Sequence, residues 1–599
     1  MLGGNQIERR RSAFPKPFLK RAGLVWALVS AFLIAINWNT IASLHFSDPD
    51  DILRLIQVRD LLGGQNWFDV SQARIDAPGG GTAMHWSRLV DLPLALVILV
   101  LTPLMGSAMA ETAAIVIVPL ITLACVMVLA SRIAWRLWGD EEATLTALVI
   151  VISIPVLFQL SPMRIDHHGW QLVCALAAVN GLLSRSAVRA GWIIGASFAA
   201  WLSISIEGLP LAAITFAVLA FRWLRDPKAH VWLVSAIQSL ALVSAALFAV
   251  TRGFSDLAAY CDAISPVHLT MFGWGALCLT LLAQPARVPL GLRLAGFALA
   301  GGGALAMMLS AAPQCASGGG FAQVDPLVAD IWLSNVLEGR PLWEQVLAIA
   351  LQYLAAPLIA IYASLQLMAR SHEGLREFWR DYALIIAGAL AISVFVARTG
   401  AAACVLASPL VAWQLRRWMK TIRMMESPLP RMAAMVGVAC ALLPAVPAVL
   451  LTSAMPVRAS VGGAADVPLR VADCRVQDAA VTLNELPQGE IYALLDIAPE
   501  LLLVSDHSVV ATGHHRGHKA MKVLIETAIG TTDNARETLR RRGSSYVAIC
   551  PALYETRTYE SIAPEGFVPQ LANGNVPEWL EPVPVSDANG LKIWRVTPE

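Results

Sequence analysis

Two short stretches of this sequence combine acidic residues and histidines in patterns that suit a metal ion. The first is Asp48-Pro-Asp50-Asp51, directly after an apolar segment. Carboxylates at the edge of a membrane are costly unless they bind something, and an Asp-x-Asp pair supplies the oxygen ligands that a hard divalent cation prefers. The alternative is that Asp48 or Asp50 caps a helix that begins near Ile52, and these residues taken alone favour the cap.

The second stretch is Asp166-His167-His168, in a short polar segment between two apolar ones. Asp and His both bind Mn²⁺, whereas Mg²⁺ accepts His less readily. The alternative is a polar patch at the membrane interface, anchored by Trp170. If both stretches lie on one face of a membrane, a metal site built from both becomes the favoured interpretation.

Two further side chains could assist such a site. Glu338 lies in a polar segment, where composition favours a pair with Arg340. Arg398 lies at the end of an apolar segment, just before Thr399-Gly400. An arginine in that position can bind a phosphate through two parallel hydrogen bonds, or it can simply anchor a helix at the interface.

A basic turn near the C-terminus is the last candidate, and it reads Gly513-His-His-Arg-Gly-His518. His514, His515 and Arg516 could hold an acceptor or a phosphate near the start of a helix. An exposed loop is the alternative, and the residues favour neither.

The composition indicates that these residues must be positioned by membrane helices. Of the 599 residues 57% are hydrophobic and only 15% are charged, and the mean hydropathy is +0.61. A soluble chain of this length needs far more polar surface. The net charge of +1 gives no reason to expect nucleic acid as a partner, and the nine cysteines show no CxxC spacing.

The N-terminus predicts the orientation. Residues 1–21 are basic, and the apolar run 22–44 is long enough to cross the roughly 30 Å hydrocarbon core without a cleavage site after it. We therefore expect a cytoplasmic N-terminal segment, 1–21, before a first spanning helix. Further spans are predicted at 112–134, 143–160, 170–184, 190–206, 208–222, 231–250, 269–284, 290–310, 343–368, 382–397, 400–415 and 431–453.

The run 89–105 is ambiguous, and the positive-inside rule decides it. If 89–105 does not cross, the basic loops between the later spans all face the cytoplasm; if it does cross, they all face outward. The first choice gives thirteen spans, with 89–105 at the outer interface. It places 45–111, 161–169, 311–342 and the C-terminal part on the external side.

The predicted fold is thus a polytopic α-helical membrane protein, with a transmembrane domain at 22–455 and a small extracytoplasmic α/β domain at 456–599. Alternating and amphipathic patterns support the second domain. Its strand-like runs are 501–504, 546–549 and 591–596, and its helix-like runs are 519–528 and 532–542. Cys474 and Cys550 in this domain either pair in an oxidising compartment or remain two free thiols.

With these segments in order, the chain resembles the catalytic subunits of oligosaccharyltransferases, within the GT-C class of membrane glycosyltransferases. Those proteins have thirteen transmembrane helices, a long first external loop and a C-terminal external domain. Their first loop holds a catalytic Asp some nine residues before an Arg-Asp pair, as Asp50 stands before Arg59-Asp60. Their second holds an Asp-x-Asp/Glu/His metal motif, which Asp166-His167-His168 matches.

The resemblance also has weaker parts and one departure. Asn335-Val-Leu-Glu338 matches a later loop element in its Glu, and Arg398 matches an arginine that contacts the lipid-linked phosphate. The Trp-Trp-Asp-Tyr-Gly motif that grips the acceptor is missing, since Trp579 and Trp594 stand alone. Transfer to protein is therefore in doubt, whereas sugar transfer is little weakened.

The resemblance implies transfer of a sugar or oligosaccharide from a polyprenyl-phosphate-linked donor to a glycan, lipid or protein acceptor. A divalent metal, Mn²⁺ or Mg²⁺, would be held by Asp50, Asp166 and His168. Asp50 and Glu338 would be catalytic, and Arg398 would bind the donor phosphate. The expected location is a bacterial inner membrane, among its lipids, with the N-terminus in the cytoplasm and the C-terminal domain in the periplasm.

Two other functions remain possible from the residues. A flippase or transporter of lipid-linked sugars usually carries ionisable residues within broken helices near the middle of the bilayer. Glu207, in Ser-Ile-Ser-Ile-Glu207-Gly-Leu-Pro, comes nearest to this pattern, although the helix count places it at the external end. A non-catalytic subunit of a glycan assembly system would carry its loop acids incidentally.

Overall fold

The computed structural model describes residues 16–254, 256–285, 288–317, 324–454, 474–585 and 590–597. The predicted cytoplasmic segment up to residue 15 and the predicted domain boundary at 456 lie outside the described residues. The chain forms two compact units. Within the described residues the first comprises 16–38, 87–317 and 337–454, and the second comprises 39–86, 324–336 and 474–597.

Long apolar helices make up the first unit, because their side chains bury one another and each backbone group is bonded within its own helix. The described helices of this unit are Lys16–Ile36, Arg88–Met105, Ser107–Leu137, Asp140–Ile152, Ile154–Phe158, His168–Gly181, Ala187–Ile204, Leu209–Arg225, His230–Thr251, Pro266–Leu282, Leu290–Ala311, Leu347–Arg370, Glu373–Phe395, Gly400–Arg423, Pro428–Leu442 and Ala445–Ala454. A five-residue helix, Trp38–Ala42, leads from this unit into the second.

By length and apolar composition, nine helices among the described residues can cross a membrane. The number is ten if Pro428–Leu442 and Ala445–Thr452, which meet at a 94° bend, form one broken span. Every segment predicted to span coincides with a helix or with two successive helices. Some are too short or too charged to count, as Gly400–Arg423 is with its four basic residues, so thirteen spans stay a prediction.

The ambiguous run forms the helix Arg88–Met105, and Ser87 caps it by accepting a hydrogen bond from the Leu89 amide at 3.3 Å. Arg88 pairs with Asp91 at 3.1 Å, and both side chains are fully buried. This helix is apolar enough to cross a membrane on composition. Its predicted position at the outer interface therefore stays a prediction.

The second unit contains the sheets. Strands β1 (Ser71–Gln72) and β2 (Thr82–Ala83) form an antiparallel pair. The larger sheet has the order β4-β3-β5-β7-β6, in which β3 is parallel to β4 and β5, and β7 is antiparallel to β5 and β6. Its strands are β3 (Glu490–Ala493), β4 (Ser508–Val509), β5 (Ser544–Ile549), β6 (Leu580–Val583) and β7 (Lys592–Val596).

Helices surround this sheet, which is why every residue of β3 is buried. The helices of the second unit are Pro49–Leu62, Pro326–Ile331, Ala480–Glu485, Ala498–Val504, His518–Ile529, Thr532–Arg542, Tyr554–Ile562 and Phe567–Ala572. The predicted strands at 546–549 and 591–596 fall in β5 and β7, and both predicted helices are present.

The predicted strand at 501–504 is wrong, because these residues belong to the helix Ala498–Val504. Pro499 lies in its first turn, where the missing N–H costs nothing. All residues from Ala498 to Leu503 are buried. A helix buried on every side shows the same continuous apolar run as a buried strand, so periodicity could not distinguish them.

Cys474 and Cys550 form a disulfide across 76 residues. Closing a loop of this length stabilises the folded state by about 4 kcal/mol in the chain-entropy account. We expect the Cys474→Ser/Cys550→Ser variant to lose about that much unfolding free energy in the second unit, measured by denaturant titration in detergent. Cys440→Ser, which removes a free thiol, is the control. Equal midpoints for both variants would contradict the expectation.

Glu500 makes the stability of the second unit depend on pH. Burial raises the pKa of its carboxyl from 4.5 to about 7, although a hydrogen bond from Gln477 opposes this. His45 Nδ1 lies 3.5 Å from Oε1, but its ring is 40% exposed and its effect is screened by solvent. Because the folded chain binds this proton more tightly, the contribution of Glu500 to the unfolding free energy should be largest below pH 4.5 and decline up to about pH 7.

Each unit of pKa corresponds to about 1.4 kcal/mol, so we expect a decline on the order of 3 kcal/mol. Glu500→Gln should reduce the pH dependence by this amount, because the amide does not titrate, and leave the part due to Glu555, whose pKa burial raises to about 8. Hydrogen exchange of the Ala498–Val504 amides between pH 4.5 and 7.5, corrected for intrinsic rates, measures it. Glu485→Gln, at an exposed position nearby, should keep the wild-type slope; a flattened slope in that control would contradict the assignment to Glu500.

Candidate active site

The loop before the helix His168–Gly181 places three potential metal ligands together. Asp166 and His167 are each 5% exposed. His167 Nδ1 donates a hydrogen bond to Asp166 Oδ1 at 2.7 Å, and His168 Nε2 lies 3.8 Å from Asp166 Oδ2. The two imidazole rings lie 4.4 Å apart between centroids. The predicted loop residues are therefore assembled, and His167 joins them.

Burial and neighbouring charges shift the pKa values of the two histidines in opposite directions. Burial lowers the pKa of His167, but the charge and hydrogen bond of Asp166, with a contribution from Glu207, outweigh it and raise the pKa to about 10. For His168, burial and then the positive charge of His167 lower the pKa, against the opposing charge of Asp166. Without a metal, His167 therefore carries the proton and His168 stays neutral.

Glu207 is a site residue that the sequence did not assign to this cluster. It lies in the break between the helices Ala187–Ile204 and Leu209–Arg225. Its Oε2 accepts a hydrogen bond from Gln171 Nε2 at 3.0 Å and lies 3.9 Å from His167 Nε2. The only signal in the sequence was a lone carboxylate between two apolar segments. Its partners depend on packing that the sequence does not show.

Arg398 connects this carboxylate to a second one. Its short 3₁₀ turn, Ala397–Thr399, lies between the helices Glu373–Phe395 and Gly400–Arg423. The guanidinium Nη1 lies 3.0 Å from Glu207 Oε1 and 3.6 Å from Glu338 Oε1. Arg340, which composition paired with Glu338, lies 3.7 Å from Glu344. Arg398 and Glu338, the two weak matches, are thus brought together.

A small cavity of about 30 Å³ adjoins this network. Its polar lining includes His168, Gln171, Glu207 and Arg398. The rest of the wall is mostly apolar: Leu172, Trp201, Leu211, Ala389, Ile392, Ala401 and Ala402. A cation set in a mostly apolar wall suits the anionic head of an amphiphile.

The Asp166 cluster fits a metal ion by its donor set. One ligand atom from each of Asp166, His167 and His168 lies within 4.8 Å of the other two. One carboxylate oxygen with two imidazole nitrogens suits Mn²⁺ or Zn²⁺ better than Mg²⁺, which prefers oxygen ligands. Filling the site requires His167 to release its proton, so occupancy should depend on pH.

Asp50 belongs to the second unit, in the first turn of the helix Pro49–Leu62. The side chain of Asp48 accepts a hydrogen bond from the Asp50 amide at 3.0 Å, so the interpretation of Asp48 as a cap is confirmed. The helix begins three residues earlier than expected, with Pro49 in its first turn. The metal site shared between Asp50 and the Asp166 loop stays a prediction.

The basic turn at 513–518 also lies in the second unit. His514 and His515 are 3% and 7% exposed, so the alternative of an exposed loop is wrong. Arg516 Nη1 donates a hydrogen bond to the Met84 carbonyl at 3.2 Å. His85 Nδ1 lies 3.0 Å from His514 Nε2. Contact with an acceptor or a phosphate stays a prediction for these three residues.

No protein-family model and no curated protein matches this chain. Solved structures of an archaeal oligosaccharyltransferase from Archaeoglobus fulgidus match this chain in fold. The complex of that protein, AglB, with an inhibitory peptide and a dolichol-phosphate gives a TM-score of 0.65 at 15% identity, over 95% of this chain and 72% of that one.

Two other structures of the same archaeal protein agree. The form tethered to an acceptor peptide containing the NVT sequon gives a TM-score of 0.63 at 13% identity, over 93% of this chain and 72% of that one. The complex with Zn and sulfate gives a TM-score of 0.58 at 15% identity, over 94% of this chain and 71% of that one. The chain therefore shares the fold of an oligosaccharyltransferase, and the resemblance predicted from its acidic loops is confirmed for the fold.

Proposed function

We propose that this chain is a GT-C-class glycosyltransferase, which transfers a sugar or oligosaccharide from a polyprenyl-phosphate-linked donor to an acceptor at the periplasmic face of a bacterial inner membrane. One observation carries the proposal: a cluster of metal ligands, Asp166 to His168, and the cation Arg398 join through Glu207 in one network. This network lines an apolar cavity in a chain with the fold of an oligosaccharyltransferase.

Arg398 is proposed to bind the donor phosphate. A guanidinium presents parallel N–H groups that match phosphate oxygens, and its charge opposes the charge that develops on the departing phosphate. Glu207 and Glu338 both lie within 3.6 Å of Nη1 of Arg398, which restrains the orientation of the guanidinium. A dolichol-phosphate in the archaeal structure is consistent with this assignment.

Asp166 and His168, with Asp50, are proposed to hold a divalent metal, for which the two imidazoles favour Mn²⁺ over Mg²⁺, and His167 is placed to join them. When bound, such an ion acts as a Lewis acid toward phosphate oxygens. Asp166 also orients His167 through its hydrogen bond. Asp50 is proposed to orient or deprotonate the acceptor, and Glu338 is proposed as a second catalytic carboxylate beside Arg398.

The cysteines support the proposed orientation. Cys261 in the loop 251–268 pairs with Cys315 in the loop 311–342. Cys474 pairs with Cys550, both in the C-terminal part. The free thiols, Cys125, Cys174, Cys278, Cys404 and Cys440, all lie in helices. Thirteen spans with a cytoplasmic N-terminus put both pairs in the oxidising periplasm. Were Arg88–Met105 to cross as well, both pairs would lie in the reducing cytoplasm, so the pairs favour its place at the interface.

The described residues do not support the alternative that this chain is a flippase. The helix pair that is sharply bent, Pro428–Leu442 and Ala445–Ala454, contains one charged side chain, Arg431, near its start. Transporters place their ionisable residues at such breaks. The break at Glu207 carries a carboxylate, but this one is held by Gln171 and Arg398 in the proposed site.

Deletion of the gene, followed by glycan analysis, tests the proposal and identifies the acceptor. Envelope polysaccharide, lipid A and secreted proteins are compared between the wild-type and deletion strains. We expect one of these classes to lose a sugar while a lipid-linked sugar accumulates, and only the wild-type gene should restore it. Unchanged glycans in all three classes, or restoration by Asp166→Ala, would contradict the proposal.

A further inference from the structure

Three histidines from distant parts of the sequence meet in the second unit. His85 follows β2, whereas His514 and His515 form the turn before the helix His518–Ile529. One ring nitrogen of each lies within 4.8 Å of those of the other two, and His85 Nδ1 lies 3.0 Å from His514 Nε2. The rings lie 4.7 to 5.1 Å apart between centroids. We call these residues the histidine triad.

The surroundings of the triad hold its rings in place. Trp86 packs edge-on against the His514 ring at 5.3 Å, and the Arg54 guanidinium lies 4.6 Å above the Trp86 ring. Arg516 ties the turn to the segment before His85 through the Met84 carbonyl. His514 and His515 are buried, while His85 is partly exposed. The triad therefore keeps contact with solvent through His85.

Three imidazoles this close together are better suited to a metal than to protons. Protonated rings would repel one another in a buried place, whereas neutral rings present nitrogen lone pairs. In a tetrahedral zinc site the ligand nitrogens lie about 3.3 Å apart, because the zinc–nitrogen bond is about 2.0–2.1 Å. The 3.0 Å between His85 Nδ1 and His514 Nε2 is close to this value, and an ion would displace the proton of the hydrogen bond that joins these two nitrogens.

We propose that the histidine triad binds one transition-metal ion of the Zn²⁺ class, with a fourth position open toward solvent beside His85. Three nitrogen donors select such an ion over Mg²⁺ or Ca²⁺. The ion joins residues 429 positions apart in the sequence. It thereby fastens the hairpin of β1 and β2 to the turn before His518–Ile529, both within the second unit. This inference does not depend on the proposed sugar transfer.

The test counts bound zinc in the full-length protein, purified in detergent, stripped with a chelator, reloaded with Zn²⁺ and desalted. Asp166→Asn is the background, so that zinc at the Asp166 cluster does not contribute. We expect one equivalent of zinc in this background, and binding weaker by at least about 100-fold after His514→Gln or His85→Gln. Loss of an outer-shell partner alone costs 10–100-fold, so loss of a ligand should cost more.

His518→Gln is the matched control, because His518 begins the helix directly after this turn and lies outside the triad. It should keep the equivalent of zinc and the rise in melting temperature that zinc produces. X-ray absorption at the zinc edge should show scattering from three imidazoles. His85→Gln, at a partly exposed position, keeps the test valid if His514→Gln does not fold. Zinc content that is equal in all variants, or zinc lost on desalting from the background protein, would overturn the proposal.

Discussion

Asp166→Ala is expected to abolish sugar transfer, with a fall of about 10³-fold or more in the rate at which label moves from lipid-linked sugar to acceptor. Asp166 supplies the oxygen donor of its cluster and bonds His167. Its loss removes a proposed metal ligand, which should cost more than the 10–100-fold typical of an outer-shell residue. The assay uses membranes of the deletion strain, pulse-labelled in their own lipid-linked sugars and supplied with each variant.

Asp50→Ala, made separately, should have an effect of the same order if Asp50 acts with the Asp166 loop. Asp330→Ala is the matched control, because Asp330 is an exposed carboxylate in the helix Pro326–Ile331, outside the network. A non-catalytic subunit would support glycan assembly with either aspartate removed. A flippase would still move labelled lipid-linked sugar across the membrane. Wild-type transfer by Asp166→Ala would therefore exclude the proposed enzyme.

The part of the site that the sequence predicted is local. Asp166, His167 and His168 are consecutive, so any fold that places them at a membrane surface brings them together. The partners of Glu207 are distant in the sequence: Gln171 is 36 residues away and Arg398 is 191 residues away. Such pairs form only when helices pack, and no spacing rule predicts them.

The fold shows the same division. Apolar length and the positive-inside rule predicted where the helices of the first unit lie, because a membrane requires long apolar segments. They did not predict the break at Ser153 or the 94° bend near Leu443. The pairing of Cys261 with Cys315 was also missed, since it depends on two loops meeting rather than on a spacing such as CxxC.

Arg398→Ala is expected to lower kcat/KM for the lipid-linked donor by about 100-fold, since a charge-assisted contact to phosphate contributes about 1.5–3 kcal/mol and its loss also removes the guanidinium that pairs with Glu207. Arg398→Lys should recover only part of this, because an ammonium cannot make the parallel pair of bonds. If Arg398 were only an interfacial anchor, lysine would serve equally well. Full activity of Arg398→Lys would therefore contradict phosphate binding.

Glu338 and Glu344 give this prediction a matched pair in one loop. Both carboxylates lie in successive 3₁₀ turns, but Glu338 lies 3.6 Å from Arg398 whereas Glu344 lies 3.7 Å from Arg340. Glu338→Gln should lower the rate of transfer, and Glu344→Gln should not. In the Arg398→Ala background, Glu338→Gln should add less than it does alone, because residues in one network are not additive. Full additivity would mean that Glu338 acts without Arg398.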